Sequence, residues 1–164
     1  IGAEGAKALS EFLKENTILR MLDLRDNAIG TEGTKALSEF LRGNISLQAL
    51  DLGSNKIGTE GVEALNKFLR SNTSLQKLDL DENNIGDDGA INLALNLISN
   101  RTLQQLDLRS NNIGDAGAGV LGETFVRGNT TLRRLDLRRN KIVAEGWRIL
   151  RELKKQSPQI EILY

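Results

Sequence analysis

The amino-acid sequence predicts an α/β solenoid, a right-handed horseshoe arc with parallel strands on its concave face and helices on its convex face. Two observations predict this fold class. The triplet Leu-Asp-Leu recurs with a spacing of 28, 28, 28 and 29 residues, starting at Leu22, Leu50, Leu78, Leu106 and Leu135. Each triplet is followed by an apolar stretch with the spacing of a helix. One such unit cannot bury its own leucines, so neighbouring units must stack.

Each Leu-Asp-Leu triplet predicts a short strand with one buried face. In the first unit, Leu22 and Leu24 occupy alternate positions. The residues between and beside them are Met21, Asp23 and Arg25. A period of two is typical of a strand whose side chains point alternately to the core and away from it. We therefore expect the leucines to be buried and the other three residues to lie on the concave face.

The stretch after each strand predicts a helix. In the first full unit one helical stripe is apolar and consists of Ala36, Leu37, Phe40 and Leu41. Polar residues that we expect to cap the helix starts are Thr31, Thr59, Asp87 and Asp115. Parallel strands lie about 4.8 Å apart, whereas packed helices need about 8–10 Å, so the stack must bend with the strands inside. The crossover rule for parallel strands makes the arc right-handed.

The repeat divides the chain, residues 1–164, into units of one predicted domain. We expect a partial N-terminal unit at 1–18, full units at 19–46, 47–74, 75–102, 103–131 and 132–159, and the start of a final strand at 160–164. The last full unit departs from the pattern at Trp147, which suits a cap. The first unit shows no such departure, so we expect the array to continue upstream or its open end to pack on something.

The composition excludes several classes of site. The chain contains no Cys and no His, so disulfides, thiolate nucleophiles, Ser-His-Asp triads and zinc sites with Cys or His ligands are impossible. Lys plus Arg and Asp plus Glu are both 22, and this zero net charge disfavours general nucleic-acid binding. No apolar run approaches the roughly 20 residues of a membrane span. We expect no cofactor, no metal and no catalytic residues.

The repeat motif itself is specific. The first four full units follow L-x-x-L-D-L-x-x-N-x-I-G-x-x-G, as in NKIGTEG at residues 55–61 and SLQKLDL at residues 74–80, and the fifth differs only in having Val143 at the first glycine position. This pattern resembles the ribonuclease-inhibitor-like class of leucine-rich repeats, and it is closest to the repeat domains of NLR-type intracellular receptors. The resemblance implies a cytoplasmic, non-enzymatic module that binds a protein partner through its concave strands and adjoining loops. Ribonuclease inhibitor itself is rich in cysteine, which this chain lacks, so a ribonuclease partner is disfavoured.

Two other functions remain open at this point. Ran GTPase-activating proteins are built from the same class of repeat, so the resemblance also allows a GTPase-regulatory role. Alternatively, the open N-terminal repeat could stack on another copy of the chain and serve a structural role.

An aspartate in every strand forms a predicted column on the concave face. Its members are Asp23, Asp51, Asp79, Asp107 and Asp136. Carboxylates on adjacent parallel strands repel one another unless they are paired with cations. The basic residues expected to neutralise them are Arg25, Lys77, Arg109, Arg134 and Arg138. The column is either an acidic stripe for a basic partner or cation, or a consensus residue satisfied by arginine and water. We favour the second interpretation because every unit has the residue.

Binding specificity is expected where the units differ. The outward residues that vary form one column before the aspartates, Met21, Ala49, Lys77, Gln105 and Arg134, and one column after them, Arg25, Gly53, Asp81, Arg109 and Arg138. Varied side chains on a rigid curved sheet are the expected contact surface for a protein partner. An asparagine also recurs after each strand, at Asn27, Asn55, Asn83, Asn111 and Asn140. Because these asparagines turn the chain inward, we expect their amides to bind backbone groups.

Overall fold

A computed structural model describes the backbone of residues 1–164 and the side chains of residues 1–124 and 128–164. Over this backbone six helices alternate with six strands. The elements are α1 Gly2–Leu13, β1 Met21–Asp23, α2 Gly30–Gly43, β2 Ala49–Asp51, α3 Gly58–Leu69, β3 Lys77–Asp79, α4 Gly86–Leu97, β4 Gln105–Asp107, α5 Asp115–Arg127, β5 Arg134–Asp136, α6 Ala144–Gln156 and β6 Glu161–Leu163. The predicted α/β solenoid is confirmed.

The strands form one parallel sheet in the order β1-β2-β3-β4-β5-β6. Equivalent residues of successive units are in register, so that Leu50 pairs with Leu78 and Asp51 pairs with Asp79. The residue inserted in the 29-residue unit leaves the register intact, because Asp107 still pairs with Asp136. The extra residue is therefore absorbed between β4 and β5.

The core lies between the sheet and the helices. Strand leucines such as Leu78 and Leu80 meet helix residues such as Leu65 and Phe68, and all four are buried. The helices pack in sequence, each on the next. Burying a leucine or phenylalanine contributes roughly 1.5–3 kcal/mol, so this continuous apolar layer is the main source of stability. It also makes the strand face a rigid base for the polar residues above it.

The turns between helices and strands carry a second set of asparagines, namely Asn44, Asn72, Asn100 and Asn129. Their side-chain oxygens accept the backbone N–H of the leucine three residues later, as Asn72 does from Leu75 at 2.7 Å. Their amide groups donate to carbonyls of the preceding unit, as Asn72 does to the Asn44 carbonyl at 3.0 Å. These buried side chains act as turn residues, although each begins a glycosylation sequon.

The prediction that polar side chains cap their own helices is wrong. Helix α2 begins at Gly30, so Thr31 lies inside the helix, and Ile29 occupies the N-cap position. Ile29 is fully buried and belongs to the core, which leaves that position without a polar side chain. The Thr31 hydroxyl donates instead to the Ile57 carbonyl of the next unit at 3.1 Å. The polar residues at helix starts therefore join units rather than cap helices from within.

Asp87 and Asp115 also bind the next unit instead of capping their own helices. Oδ1 of Asp87 in α4 accepts the N–H groups of Gly114 at 2.7 Å and Gly117 at 3.0 Å, at the start of α5. Oδ1 of Asp115 accepts the N–H of Val143 at 2.8 Å, immediately before α6. A carboxylate at a helix N-terminus satisfies free N–H groups and interacts favourably with the helix dipole. Each aspartate thus caps the helix of the following unit.

Replacing Asp87 with alanine should lower the free energy of unfolding by about 1–2 kcal/mol, because α5 loses its acceptor from the neighbouring unit. Asp88 is exposed in the same turn of α4 and provides a matched control. Asp88→Ala should cost no more than about 0.5 kcal/mol. Urea denaturation followed by circular dichroism measures both values. Equal losses in the two variants would show that Asp87 does not bridge the units.

Candidate functional site

The concave face carries two columns of side chains along the sheet. The first residues of strands β1–β5 form the contact column, which consists of Met21, Ala49, Lys77, Gln105 and Arg134. The third residues form the Asp ladder, which consists of Asp23, Asp51, Asp79, Asp107 and Asp136. A cavity of about 280 Å³, the strand-face cavity, lies between the columns and is lined by both. The predicted candidate residues are therefore brought together on one surface.

Every carboxylate of the Asp ladder closes the turn at the end of its own strand. Oδ1 accepts the backbone N–H two residues later, over distances between 2.8 and 3.2 Å. This local bond holds the backbone where the chain leaves the sheet. It also gives a structural reason for an aspartate in each of these strands.

Arg25 neutralises the ladder on the N-terminal side. Its Nε lies 3.3 Å from Oδ2 of Asp51, its Nη2 lies 2.9 Å from Oδ2 of Asp79, and its Nη1 lies 3.5 Å from Oδ2 of Asp81. Gly53 provides the space for this reach, because a Cβ there would stand 2.5 Å from the Arg25 Cζ. The sequence places Gly53 in the varied column with Arg25 and Asp81, but it does not predict that Gly53 makes room for Arg25. Its signal is a glycine in a column that otherwise holds only charged residues.

Substituting Gly53 with alanine should displace the Arg25 guanidinium and lower the free energy of unfolding by about 1 kcal/mol. The displaced group is the flexible end of a side chain, so lost ion pairs rather than backbone strain cause the loss. Gly53→Ala should therefore have almost no effect in an Arg25→Ala background. A double-mutant cycle measured by thermal denaturation tests the coupling. Gly43→Ala is the control, because nothing lies within 4 Å of a Cβ at Gly43.

Arg109 neutralises the C-terminal side of the ladder. Its Nε lies 2.8 Å from Oδ2 of Asp107 and 3.9 Å from Oδ2 of Asp136. Its Nη2 lies 3.5 Å from Oδ2 of Asp81 and 4.0 Å from Oδ2 of Asp79. Arg25 and Arg109 thus share Asp79 and Asp81, and together they tie the third residues of β2–β5 into one ionic network.

Two predicted contact residues are buried. Asp136 is 3% exposed and Asp81 is 7% exposed, because guanidinium groups cover both carboxylates. Arg138 contributes the shortest of these contacts, with its Nη2 2.6 Å from Oδ2 of Asp136. The expectation that Asp81 and Asp136 present themselves to a partner is therefore wrong. Both hold the arginines in place.

The contact column differs from the ladder in exposure and pairing. Met21 is 73% exposed, Lys77 is exposed and Gln105 is half-buried. The expectation that Lys77 and Arg134 neutralise the ladder is wrong. Arg134 Nη1 lies 2.6 Å from Oε2 of Glu161, which continues the column on β6. Lys77 makes no ion pair with any side chain that the structure describes. The reason is that the two columns lie on opposite sides of the strand-face cavity.

The surroundings shift the pKa values of two ladder carboxyls in opposite directions. Burial raises the pKa of Asp79; the Asp81 N–H opposes this, and repulsion from Asp107 and Asp51 adds to it. Burial also disfavours the charged form of Asp136, but hydrogen bonds from the Arg138 side chain and backbone outweigh it and lower the pKa of Asp136.

These shifts predict opposite contributions to stability as the pH falls. Asp136 stabilises the fold above its unfolded pKa, and this contribution is lost as the pH falls through its lower folded pKa. The ionised carboxylate of Asp79 lowers the free energy of unfolding. This destabilisation is relieved as the pH falls through the raised pKa that Asp79 has in the folded state. Carboxyl carbon resonances followed by NMR should titrate above 3.8 for Asp79 and below 3.8 for Asp136. The reverse order would contradict the assigned ion pairs.

The asparagines that follow the strands bind backbone groups of neighbouring units. Oδ1 of Asn83 accepts the N–H groups of Asn55 at 3.0 Å and Ile57 at 3.2 Å. Its Nδ2 donates to the carbonyls of Leu52 at 2.9 Å and Asp81 at 3.0 Å. Asn83 is completely buried. The equivalent residues Asn27, Asn55, Asn111 and Asn140 form similar bonds and with Asn83 make up the Asn ladder. The hydrogen-bonding capacity of Asn83 is used inside the fold, which leaves none for a ligand.

The family of the chain follows from a match along its length. The family described as Leucine Rich repeat matches residues 15–38, 43–65, 71–94, 99–122 and 128–146. The chain belongs to the leucine-rich repeat family. Each matched segment contains one strand and the start of the next helix, so the leucine-rich repeats coincide with the structural units. No curated protein matches the chain in sequence.

Three solved structures resemble this one in fold. Leiomodin-1 actin-binding site 2 superposes with a TM-score of 0.70 at 18% identity, covering 94% of this chain and 88% of that chain. The tropomodulin C-terminal domain of Caenorhabditis elegans has a TM-score of 0.69 at 13% identity, covering 79% and 80%. A TLR13 chain in complex with ssRNA13 has a TM-score of 0.59 at 20% identity, covering 92% and 23%. These likenesses show the fold.

The described part of this leucine-rich repeat protein shows neither a metal site nor a membrane-spanning helix. No group of Asp or Glu side chains within it is arranged to hold a metal ion. None of its helices combines the length and the apolar character that a membrane span requires.

Proposed function

We propose that residues 1–164 form a single non-enzymatic domain that binds a protein partner through its concave strand face and adjoining loops. The observation that carries this proposal is the strand-face cavity, which lies between a fixed Asp ladder and a varied contact column. The ladder provides a constant, rigid base. Met21, Lys77 and Gln105 vary along the other wall and are at least partly exposed, as residues that determine specificity would be.

The rigidity of the strand face supports binding with a small entropic cost. Arg25 and Arg109 are held by several carboxylates, and the Asn ladder fixes the turns beside them. A preformed surface loses little conformational freedom when a partner docks, so more of the contact energy appears as affinity. This is how a repeat domain without a central active site can act as a specific binder.

The repeat motif also suggests the subfamily of the repeats and the cellular location of the protein. We assign the repeats to the ribonuclease-inhibitor-like class, closest to those of NLR-type receptors, and we infer a cytoplasmic location from that likeness. The similar leiomodin-1 structure is an actin-binding site, which supports a protein as the class of partner. An identity of 18% does not identify actin as the partner of this chain.

The concave-face proposal is tested by a triple variant, Met21→Ala, Lys77→Ala and Gln105→Ala. These side chains lie outside the ionic network, so the variant should fold like the wild type. Proteins retained by immobilised wild-type chain are identified by mass spectrometry and then purified for direct binding measurements. The variant should bind a purified partner about tenfold more weakly or worse.

The matched control carries Glu60→Ala, Glu63→Ala and Lys67→Ala on the convex surface of α3, where all three side chains are exposed. It should bind the same partner as tightly as the wild type. Loss of binding in the convex variant with unchanged binding in the concave variant would overturn the proposal.

A second candidate function is self-association through the open face of the first unit. Phe12 of α1 is 82% exposed, whereas its equivalents Phe40 and Phe68 are 6% and 0% exposed beneath a neighbouring unit. A second copy that covers Phe12 would remove this apolar surface from water. Light scattering over a concentration series should then show a mass increase that Phe12→Gln abolishes. A constant monomer mass would exclude this candidate.

A further inference from the structure

The N-terminal part of the strand-face cavity has walls of opposite character. Met21 and Ala49 form an apolar wall on β1 and β2, and Met21 is 73% exposed. Asp23 and Asp51 form a carboxylate wall on the same two strands. The walls are two residues apart along each strand, which corresponds to about 7 Å. A single extended side chain fits this width.

The carboxylates of the ionic network beside this cavity outnumber the guanidinium groups that pair with them. The carboxylates of Asp51, Asp79, Asp81 and Asp107 share the two guanidinium groups of Arg25 and Arg109. Asp23 adds another carboxylate, and no described side chain forms an ion pair with it. Five carboxylates therefore face two arginines, and the exposed ammonium group of Lys77 lies on the opposite wall. Asp136 does not contribute because Arg138 covers it.

Asp79 lies within this excess of carboxylates. Burial and repulsion from Asp107 and Asp51 raise the pKa of Asp79 despite the contact with Arg25. An additional cation near Asp51 would relieve that repulsion.

We propose that this end of the strand-face cavity receives an arginine side chain of the partner protein, with its aliphatic stem on Met21 and Ala49 and its guanidinium on Asp23 and Asp51. The assignment deepens the proposed function, on which it rests for the protein nature of the partner. Arginine fits both walls, because its methylene stem covers apolar surface while its planar head binds a carboxylate through two parallel hydrogen bonds. Oδ1 of each carboxylate accepts a backbone N–H, and Oδ2 of Asp23 has no partner among the described side chains. Oδ2 of Asp51 is shared with Nε of Arg25 at 3.3 Å, and a carboxylate oxygen can accept a second hydrogen bond.

The chain provides a local probe, because Met21 is its single methionine. Protein labelled with carbon-13 at the methionine methyl group gives a resonance that Met21→Leu identifies by its loss. N-acetyl-arginine methylamide should shift this resonance saturably, and the shift should weaken markedly between about 25 and about 300 mM NaCl. The citrulline analogue has the same shape without the charge and should produce little shift. No shift with the arginine compound, or equal shifts with both, would overturn the proposal.

A double variant tests the carboxylate wall. Asp23→Asn with Asp51→Asn keeps both Oδ1 acceptors and removes two negative charges, so it should fold and bind the arginine compound about fivefold more weakly or worse. The control Glu60→Gln with Asp88→Asn removes two exposed carboxylates from the helices and should bind like the wild type. Unchanged binding in the Asp23/Asp51 variant would overturn the assignment.

The two proposals fail in distinguishable ways. The arginine compound can bind in the absence of a partner protein. If it binds to the wild type, but a partner protein binds the concave triple variant as tightly as the wild type, the proposed function is contradicted. A partner that is lost from the triple variant, combined with no response to the arginine compound, would overturn only the assignment of the cavity.

Discussion

Replacing Arg109 with methionine should lower the free energy of unfolding by about 2–3 kcal/mol at neutral pH, because four carboxylates lose their shared cation. Those carboxylate side chains are only 5–24% exposed, so water replaces the guanidinium poorly. The buried Oδ1 of Asp81 already lacks a hydrogen-bond partner, which makes Asp81 especially dependent on the two arginines. Methionine keeps most of the side-chain volume, so the variant isolates the charge.

The loss should shrink as the pH falls toward about 3, because protonated carboxyl groups no longer repel one another. Arg148→Met is the matched control. Arg148 makes an exposed ion pair with Glu145 on α6, and its replacement should leave the free energy of unfolding almost unchanged. Urea denaturation of both variants across the pH range measures the difference. A loss from Arg109→Met no larger than the control's would show that the network does not stabilise the sheet.

Replacing Asn83 with alanine should lower the free energy of unfolding by about 3–4 kcal/mol. Alanine leaves two backbone N–H groups, of Asn55 and Ile57, and two carbonyls, of Leu52 and Asp81, without this partner inside the fold. The melting temperature should fall by roughly 6–16 °C for a chain of this length. Differential scanning calorimetry measures both the shift and the cooperativity of the transition.

Asn27 is the natural control for Asn83, because it is the equivalent residue at the end of the ladder. Its Nδ2 donates to the carbonyls of Leu24 and Arg25 within its own turn, and the residue is only half-buried. Water can reach these groups, so Asn27→Ala should cost less than half as much as Asn83→Ala. If the two losses were equal, the bonds between units would contribute little to stability.

The bonds between units have a consequence for function. The Asn ladder, the caps formed by Asp87 and Asp115, and the bridges formed by Arg25 and Arg109 all connect one unit to another. In a solenoid most contacts between units join neighbours, so stability depends strongly on these interfaces. The same contacts fix the spacing of the strand-face cavity. A variant that weakens them is therefore expected to affect binding as well as folding.

Much of this architecture was determined by local sequence alone. The alternation of Leu22 and Leu24 with polar residues identifies a strand, and the regular spacing of the triplets predicts the parallel register that aligns Asp51 with Asp79. The asparagine that follows each strand was likewise expected to bind backbone groups. Such features repeat in every unit, so a period in the sequence is sufficient to reveal them.

Which side chains remain available to a partner depends on how the units stack in three dimensions. The sequence placed Asp81 and Asp136 on the contact surface, but arginines two or more residues away cover them. It also assigned Asp87 to its own helix, whereas the carboxylate caps the next one. These outcomes depend on how far a long side chain reaches across strands about 5 Å apart and on the space left by a residue such as Gly53. The linear sequence pattern does not show how far an arginine side chain reaches or where space is left for it, because both depend on how the units stack.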